Sequence, residues 1–140
     1  MLRPFLQQLP CHEFVIEIRN KTWLNAALLD LLHEYKVALV LQDLSSMPRP
    51  WELKGNLNLV TGDFAYVRWL GDRHGIEMAT KIWDKTVVDR REDLRSWTDF
   101  LNSLVLDKRL RKIFAFANNH YAGHGPATVK QFWELWKKKQ

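Results

Sequence analysis

The chain has 140 residues, of which 46% are hydrophobic and 26% are charged, an ordinary balance for one globular domain. No apolar run reaches the roughly 18 residues of a membrane-spanning helix, and the N-terminus lacks the apolar stretch and cleavage site of a signal peptide. Cys11 is the single cysteine, which excludes an intrachain disulfide and a thiolate metal cluster. We therefore expect one soluble domain over residues 1–140, in the reducing cytoplasm.

The formal charge of +5 permits a nucleic acid or another anionic partner. Much of the excess lies at 90–91, 108–112 and 137–139, which are predicted helix ends and the chain terminus. Cations there favour solvent and the negative end of the helix dipole. Because the basic residues are scattered rather than gathered on one face, a nucleic-acid-binding module is only an alternative.

Strand patterns and helix patterns alternate along the chain. Apolar spacing predicts helices, and runs rich in β-branched residues predict strands. In chain order we predict a helix at 4–9, a strand at 14–19, a helix at 25–35, a strand at 37–43, a loop at 47–51, a turn at 61–63 and a strand at 64–70, ended by 71–75. The segment 76–90 is ambiguous, and a helix at 92–110, a strand at 112–117, a turn at 123–126 and a helix at 127–136 complete the chain.

This alternation indicates βαβ units and therefore a parallel sheet in an α/β fold. The strand at 37–43 is almost continuously apolar, which is typical of a strand buried on both faces. Four strand–helix units are half of the eight that close a TIM-type barrel. The predicted fold is accordingly a half-barrel of about four parallel strands.

Sites in such sheets lie at the C-terminal ends of the strands, so those residues are the candidates. The first strand ends with Glu17 and Arg19, which alternation places on one face with Val15. A charged pair in a core strand needs a partner, because burying charge is costly. Two interpretations stay open, namely a structural ion pair inside the sheet and a carboxylate with a guanidinium in a barrel mouth.

The other strands offer further polar ends. Asp43 ends the second strand, where it could instead cap a turn or helix. Arg68 shares a face of the third strand with Tyr66. The fourth strand runs into Asn118, Asn119 and His120, and one of the two asparagines is expected to satisfy loop backbone.

Two arginines that converge on one cavity suit an anion such as a carboxylate or phosphate. Glu17 or Asp43 could act as a general base and His120 as a proton shuttle. No GxGxxG, P-loop or GxSxG motif occurs, so the sequence identifies no cofactor. His120 and His124 have the spacing of two ligands on a helix, but the glycines around them argue against helix, so we predict no metal site.

Four segments together resemble a known family. The run 15–19, with Trp23 after it, resembles that family's "VEFR…SW" segment, and 63–71 resembles its "YVRxxG" segment. The run 116–127 resembles "FNNHyxGhxP", and 4–10 resembles "FLxxLP". The chain is thereby identified as a member of the YecE-like family (domain of unknown function 72), with the four segments in family order across essentially the whole chain.

The resemblance implies a (β/α)₈ barrel of unassigned activity. It places Glu17, Arg19, Trp23, Asp43, Arg68, Asn118 and Asn119 at or near the barrel mouth. The segments of the family's first half are not found in this sequence, so we expect the chain to correspond to the second half.

A half-barrel exposes one sheet face and two strand edges, which are templates for pairing. We therefore expect self-association or a complementary half-barrel as a partner. Three functions stay open: a small-molecule enzyme or relic with an anionic or polar ligand at the strand ends, a non-catalytic assembly module, and the nucleic-acid-binding module. The sequence alone does not decide whether the chain is an enzyme.

Overall fold

The computed structural model describes residues 2–53, 57–106 and 110–139. Within these ranges one parallel sheet contains four strands in chain order, β1 (Val15–Ile16), β2 (Ala38–Leu44), β3 (Phe64–Gly71) and β4 (Lys112–Ala117). The helices are α1 (Leu2–Leu6), α2 (Ala26–Glu34), α3 (Pro50–Leu53), α4 (Arg73–Ala79), α5 (Arg91–Val105), α6 (Asn119–Ala122) and α7 (Gly125–Lys137), with a 3₁₀ turn at Lys21–Trp23. The predicted α/β fold is confirmed, and consecutive parallel strands with alternating helices are the arrangement of half of a TIM-type barrel.

The hydrophobic core lies between one face of the sheet and the helices. On this helix-covered face, Trp69 of β3 is fully buried and its ring lies 6.2 Å from that of Trp97 in α5 and 4.7 Å from that of Phe132 in α7. Leu29 and Leu32 of α2 join the same core. Burying several large aromatic side chains is the main stabilising contribution that a sheet of this size can obtain.

The opposite face of the sheet, here called the open face, carries the alternate residues of the strands. Parallel pairing sets Tyr66 beside Phe114 and Arg68 beside Phe116. Tyr66 stacks on Phe116, with ring centroids 4.9 Å apart. Phe114 and Phe116 nevertheless stay 38% and 47% exposed, so the open face presents aromatic surface to its surroundings.

The sheet is strongly curled, as contacts between its two edge strands show. Glu13, just before β1, accepts hydrogen bonds from Lys112 Nζ at 2.7 Å and from Arg111 at 3.2 Å, at the start of β4. Arg111 also pairs with Asp63 at 2.6 Å. These ion pairs connect the first and last strands at the N-terminal end of the sheet.

Four predicted elements are longer than the observed ones. The helix predicted at 4–9 is found at Leu2–Leu6, and the helix predicted at 25–35 is found at Ala26–Glu34. The strand predicted at 14–19 pairs only over Val15–Ile16, because beyond it the side chain of Gln42 donates to the Ile18 carbonyl in place of a backbone ladder. The helix predicted at 92–110 ends at Val105. Residues 107–109 of that prediction lie outside the described residues.

Three short helices occur where loops, turns or no definite structure were predicted. α3 includes Pro50, which the sequence placed in a loop. α4 and α6 each begin at a side-chain cap, since Asp72 Oδ1 accepts from the His74 amide at 3.1 Å and Asn118 Oδ1 accepts from the His120 amide at 3.0 Å. α7 begins two residues before the predicted helix, with Pro126 in its first turn. Across the described ranges, every helix falls short of the length and apolar character that a membrane crossing requires.

Candidate functional site

Three of the predicted site residues meet at the C-terminal ends of β1 and β3, on the open face. Glu17 accepts a hydrogen bond from Arg19 Nε at 2.6 Å and another from a terminal nitrogen of Arg68. The alternation of side chains along a strand predicts that Arg19 and Glu17 share a face, and the curl of the sheet brings Arg68 to them. One carboxylate thus faces two guanidinium groups, so the cluster has a residual positive charge.

The exposure of these side chains increases from the sheet outward. The side chain of Glu17 is 16% exposed, that of Arg68 is 36% exposed and that of Arg19 is 63% exposed. Within the described residues, each arginine uses one nitrogen on Glu17 and has further N–H groups without a partner. The stacked rings of Tyr66 and Phe116 lie beside Arg68. The cluster therefore has guanidinium N–H donors available for a ligand, next to the apolar surface of two aromatic rings.

Asp43 lies on the opposite side of the sheet, in the helix-covered core, and is 5% exposed. Its Oδ2 accepts from Trp97 Nε1 and from the Tyr121 hydroxyl, each at 2.9 Å. Its Oδ1 faces Arg49 Nε at 3.4 Å. Asp43 therefore connects β2 to the loop after it, to α5 and to α6.

These contacts continue into a closed circuit, here called the polar ring, of Asp43, Arg49, Asp93, Arg90 and Tyr121. Arg49 pairs with Asp93 Oδ1 at 2.8 Å, and Asp93 Oδ2 accepts from Arg90 at 3.2 Å. Arg90 Nε donates to the Tyr121 carbonyl at 3.0 Å, and its guanidinium lies over the Tyr121 ring at 5.2 Å from the centroid. Two carboxylates balance two guanidinium groups, which is how partly buried charge is tolerated.

Together, burial and neighbouring charges favour the protonated, hydrogen-bond-donating forms of Tyr121 and Arg49 in the polar ring. Burial raises the pKa of the Tyr121 hydroxyl well above its ordinary value, and the charge of Asp43 raises it further, so the hydroxyl stays a donor. Burial lowers the pKa of Arg49, but the charges of Asp43 and Asp93 outweigh this effect and the net shift is upward. The Tyr121 hydroxyl therefore stays neutral and the Arg49 guanidinium stays charged at neutral pH.

His120 lies at a third place, above the end of β3, because its backbone packs against Gly71. Nδ1 is 2.8 Å from Asn118 Oδ1, which also accepts from the His120 amide, and Nε2 is 3.1 Å from Glu77 Oε1. Both neighbours are hydrogen-bond acceptors, so a ring nitrogen that carries a hydrogen donates it to one of them. A hydrogen bond from Arg73 is the main cause that lowers the pKa of Glu77, and His120 adds to it.

The remaining predicted residues, Asn119 and Trp23, lie outside these groups. Asn119 Oδ1 accepts from the Gly125 amide at 2.8 Å, so this asparagine holds the start of α7. Trp23 is 57% exposed at the end of the 3₁₀ turn. The other predicted site residues are divided among the open-face cluster, the polar ring and the Asn118–His120–Glu77 chain.

Sequence reasoning missed Arg49, Arg90 and Asp93 of the polar ring, and Glu77 beside His120. The pairing of Arg90 with Asp93 could have been predicted, because opposite charges three residues apart at the start of a helix often form an ion pair. Their pairing with Arg49 depends on packing between distant segments. Within the described residues, no group of three or more His, Cys, Asp or Glu side chains is arranged to hold a metal ion.

Known proteins resemble the chain in both sequence and structure. The family model "Protein of unknown function DUF72" matches residues 1–140. A DUF72 family protein of Thermotoga maritima has a similar crystal structure, with a TM-score of 0.64, 20% identity, and coverage of 99% of this chain and 49% of that chain. Two crystal structures of a DUF72 family protein of Enterococcus faecalis give TM-scores of 0.62 at 16% and 17% identity, covering 97% of this chain and 50% and 52% of theirs.

None of the curated proteins compared with the chain is a match. The chain spans about half the length of the solved relatives. At this sequence identity, the similarity shows a shared fold and nothing further. The family model agrees with the segments that resembled this family in the sequence. The chain therefore belongs to the DUF72 family.

Proposed function

We propose that the protein binds a small anionic or polar ligand at the C-terminal ends of β1 and β3, on the open face. The observation that supports this most directly is that one carboxylate, Glu17, is shared by Arg19 and Arg68. The uncompensated positive charge lies at the end of the sheet where α/β proteins bind ligands. Guanidinium groups bind carboxylates and phosphates through paired N–H donors.

Each residue of the cluster has a defined part in this proposal. Arg68 and Arg19 donate hydrogen bonds to the anion, and Glu17 holds both guanidinium groups in position. Both oxygens of Glu17 already accept hydrogen bonds, as do both oxygens of Asp43. Protonation of either carboxylate would weaken its ion pairs with arginine, so a general base is not part of the proposal. His120, predicted as a proton shuttle, contacts Glu77 and not this cluster, so proton transfer is not part of the proposal either.

Replacing Arg68 with glutamine should weaken binding of inorganic phosphate at least about tenfold, because charge-assisted hydrogen bonds are the strong part of such a site. Titration calorimetry at low ionic strength measures this. Arg91→Gln is the matched control, since it removes the same charge from an exposed arginine that pairs with Asp89. Equal phosphate affinity of the two variants, or no phosphate binding by the unchanged protein, would contradict the proposal.

A second candidate function is assembly, supported by the apolar surface next to the sheet edges. Val129 and Trp133 of α7 are 44% and 52% exposed. They line a cleft of about 280 Å³ beside β4, together with Ile113 and Ala115. The open face adds the exposed rings of Phe114 and Phe116. Exposed apolar surface of this kind marks interaction sites, and we propose that a second copy of the chain covers the apolar side chains on both sides of β4 with two-fold symmetry.

Light scattering after gel filtration should therefore give the mass of a dimer. Phe116→Glu should convert the dimer to monomers, because it places a charge at the buried interface. Met78→Glu is the control, since Met78 is 77% exposed on α4, away from the open face, and should leave the dimer intact. A monomer at every concentration of the unchanged protein would overturn the second-copy proposal.

A further inference from the structure

A cleft separate from the open face lies at the C-terminal ends of β2 and β3. Its volume is about 350 Å³ and its lining is mainly polar, including Asp43, Ser45, Arg49, Glu52, Asp72 and Arg90. Adjacent strand ends of a parallel sheet are where ligands bind in this class of fold. The volume is at the lower end of the range for small-molecule sites, so the cleft suits a ligand of few atoms.

The polar ring forms one wall of the cleft and fixes its two arginines. Arg49 is held by Asp43 and Asp93 and lies over the Trp51 ring at 5.6 Å from the centroid. Arg90 is held by Asp93 and by the Tyr121 carbonyl. One terminal nitrogen of each guanidinium has no partner within the described residues. Donors that are already oriented bind an anionic group with little entropic cost.

Acceptors at the rim of the cleft complement these donors. Glu52 Oε2 accepts from the Arg49 amide at 2.8 Å, and Asp72 Oδ1 accepts from the His74 amide. The second oxygen of each carboxylate takes no hydrogen bond from the described residues, and both side chains are exposed. The ring itself is neutral, because two acids balance two arginines, so the rim contributes uncompensated negative charge.

We propose that this cleft binds a small zwitterion, a molecule with a carboxylate and an ammonium group such as an α-amino acid. The carboxylate pairs with the unused nitrogens of Arg49 and Arg90. The ammonium group donates to Glu52 and Asp72. A simple anion meets the negative rim, and a simple cation leaves the guanidinium donors without an acceptor, so the lining favours a ligand that carries both charges.

Three probes that differ by one charge test this by titration calorimetry. L-alanine should bind at least about tenfold more tightly than N-acetyl-L-alanine, which lacks the ammonium, and than L-alaninamide, which lacks the carboxylate. If either single-charge probe binds as tightly as L-alanine, or if none of the three binds, the proposal is overturned.

Glu52→Gln combined with Asp72→Asn gives the matching variant. Both amides keep an oxygen that can cap the backbone at α3 and α4, so the thermal midpoint should change little. Binding of L-alanine should fall at least about tenfold. Glu134→Gln is the control, since Glu134 is an exposed acid on α7 that does not line the cleft, and this variant should bind L-alanine as the unchanged protein does. Equal loss in the control would contradict the assignment to this cleft.

Arg68→Gln, which tests the open face, should leave L-alanine binding unaffected, so the two proposals can fail independently.

Discussion

Replacing Asp43 with alanine should lower the free energy of unfolding by about 3–5 kcal/mol, as expected when one partner of a buried charge network is removed. The change leaves Trp97 Nε1 and the Tyr121 hydroxyl without their acceptor inside the core. Arg49 also loses one of the two carboxylates that hold it. Each of these groups then carries a desolvation cost that nothing offsets.

Urea unfolding followed by tryptophan fluorescence measures the effect, because Trp97 lies in the affected network. Glu34→Ala is the control, since Glu34 is an exposed acid that pairs with Arg3 and its removal should change the midpoint little. Similar losses in both variants would show that the polar ring contributes no more than an exposed ion pair.

Replacing Gly71 with alanine should cost at least about 2 kcal/mol, the sum of two separate effects. The backbone at Gly71 has φ of 73°, where a side chain costs roughly 1–3 kcal/mol. The added Cβ would also lie 2.6 Å from the Tyr121 Cα and against the His120 carbonyl, and overpacking of this kind costs about 1–3 kcal/mol. The strain would displace α6 and with it the contact between His120 and Glu77.

Thermal unfolding measures the loss, and the imidazole proton signals of His120 report the displacement. Gly62→Ala is the matched control, because its Cβ would meet the Ala38 Cβ at an ordinary 3.4 Å and no positive φ is involved. We expect that variant to keep the stability of the unchanged protein. An unaltered His120 signal in Gly71→Ala would contradict the close packing of α6 on β3.

Local patterns predict much of the sheet and part of the candidate site. The strand at 112–117 was predicted with the observed bounds, because its apolar run is bordered by charge on one side and Asn118 on the other. Alternation along the strands placed Glu17 with Arg19, and Arg68 with Tyr66, and the structure joins Glu17 to Arg68. The family could also be recognised from the sequence, because each of its characteristic segments is a continuous run of residues.

Features that depend on packing between distant segments were not predicted. The polar ring joins Asp43, Asp93 and Tyr121, and no spacing in the sequence relates a strand end to a helix so far along the chain. α4 was missed although Asp72 is a helix-capping residue type, because Gly75 inside the first turn argues against helix. The shortness of β1 follows from the contact between the Gln42 side chain and the Ile18 carbonyl. The strand propensity of residues 14–19 gives no information about such a contact.

The consecutive order of the strands has a consequence for how the chain folds. Each strand pairs only with strands next to it in the sequence, so each pairing closes a single strand–helix unit and the loop-closure cost is modest. During synthesis β1 and β2 can pair before β4 has been made. The ion pairs from Glu13 to Arg111 and Lys112 span the longest separation among the hydrogen bonds of the described residues. They form only once the last strand is in place, so the curl of the sheet is completed at the end of folding.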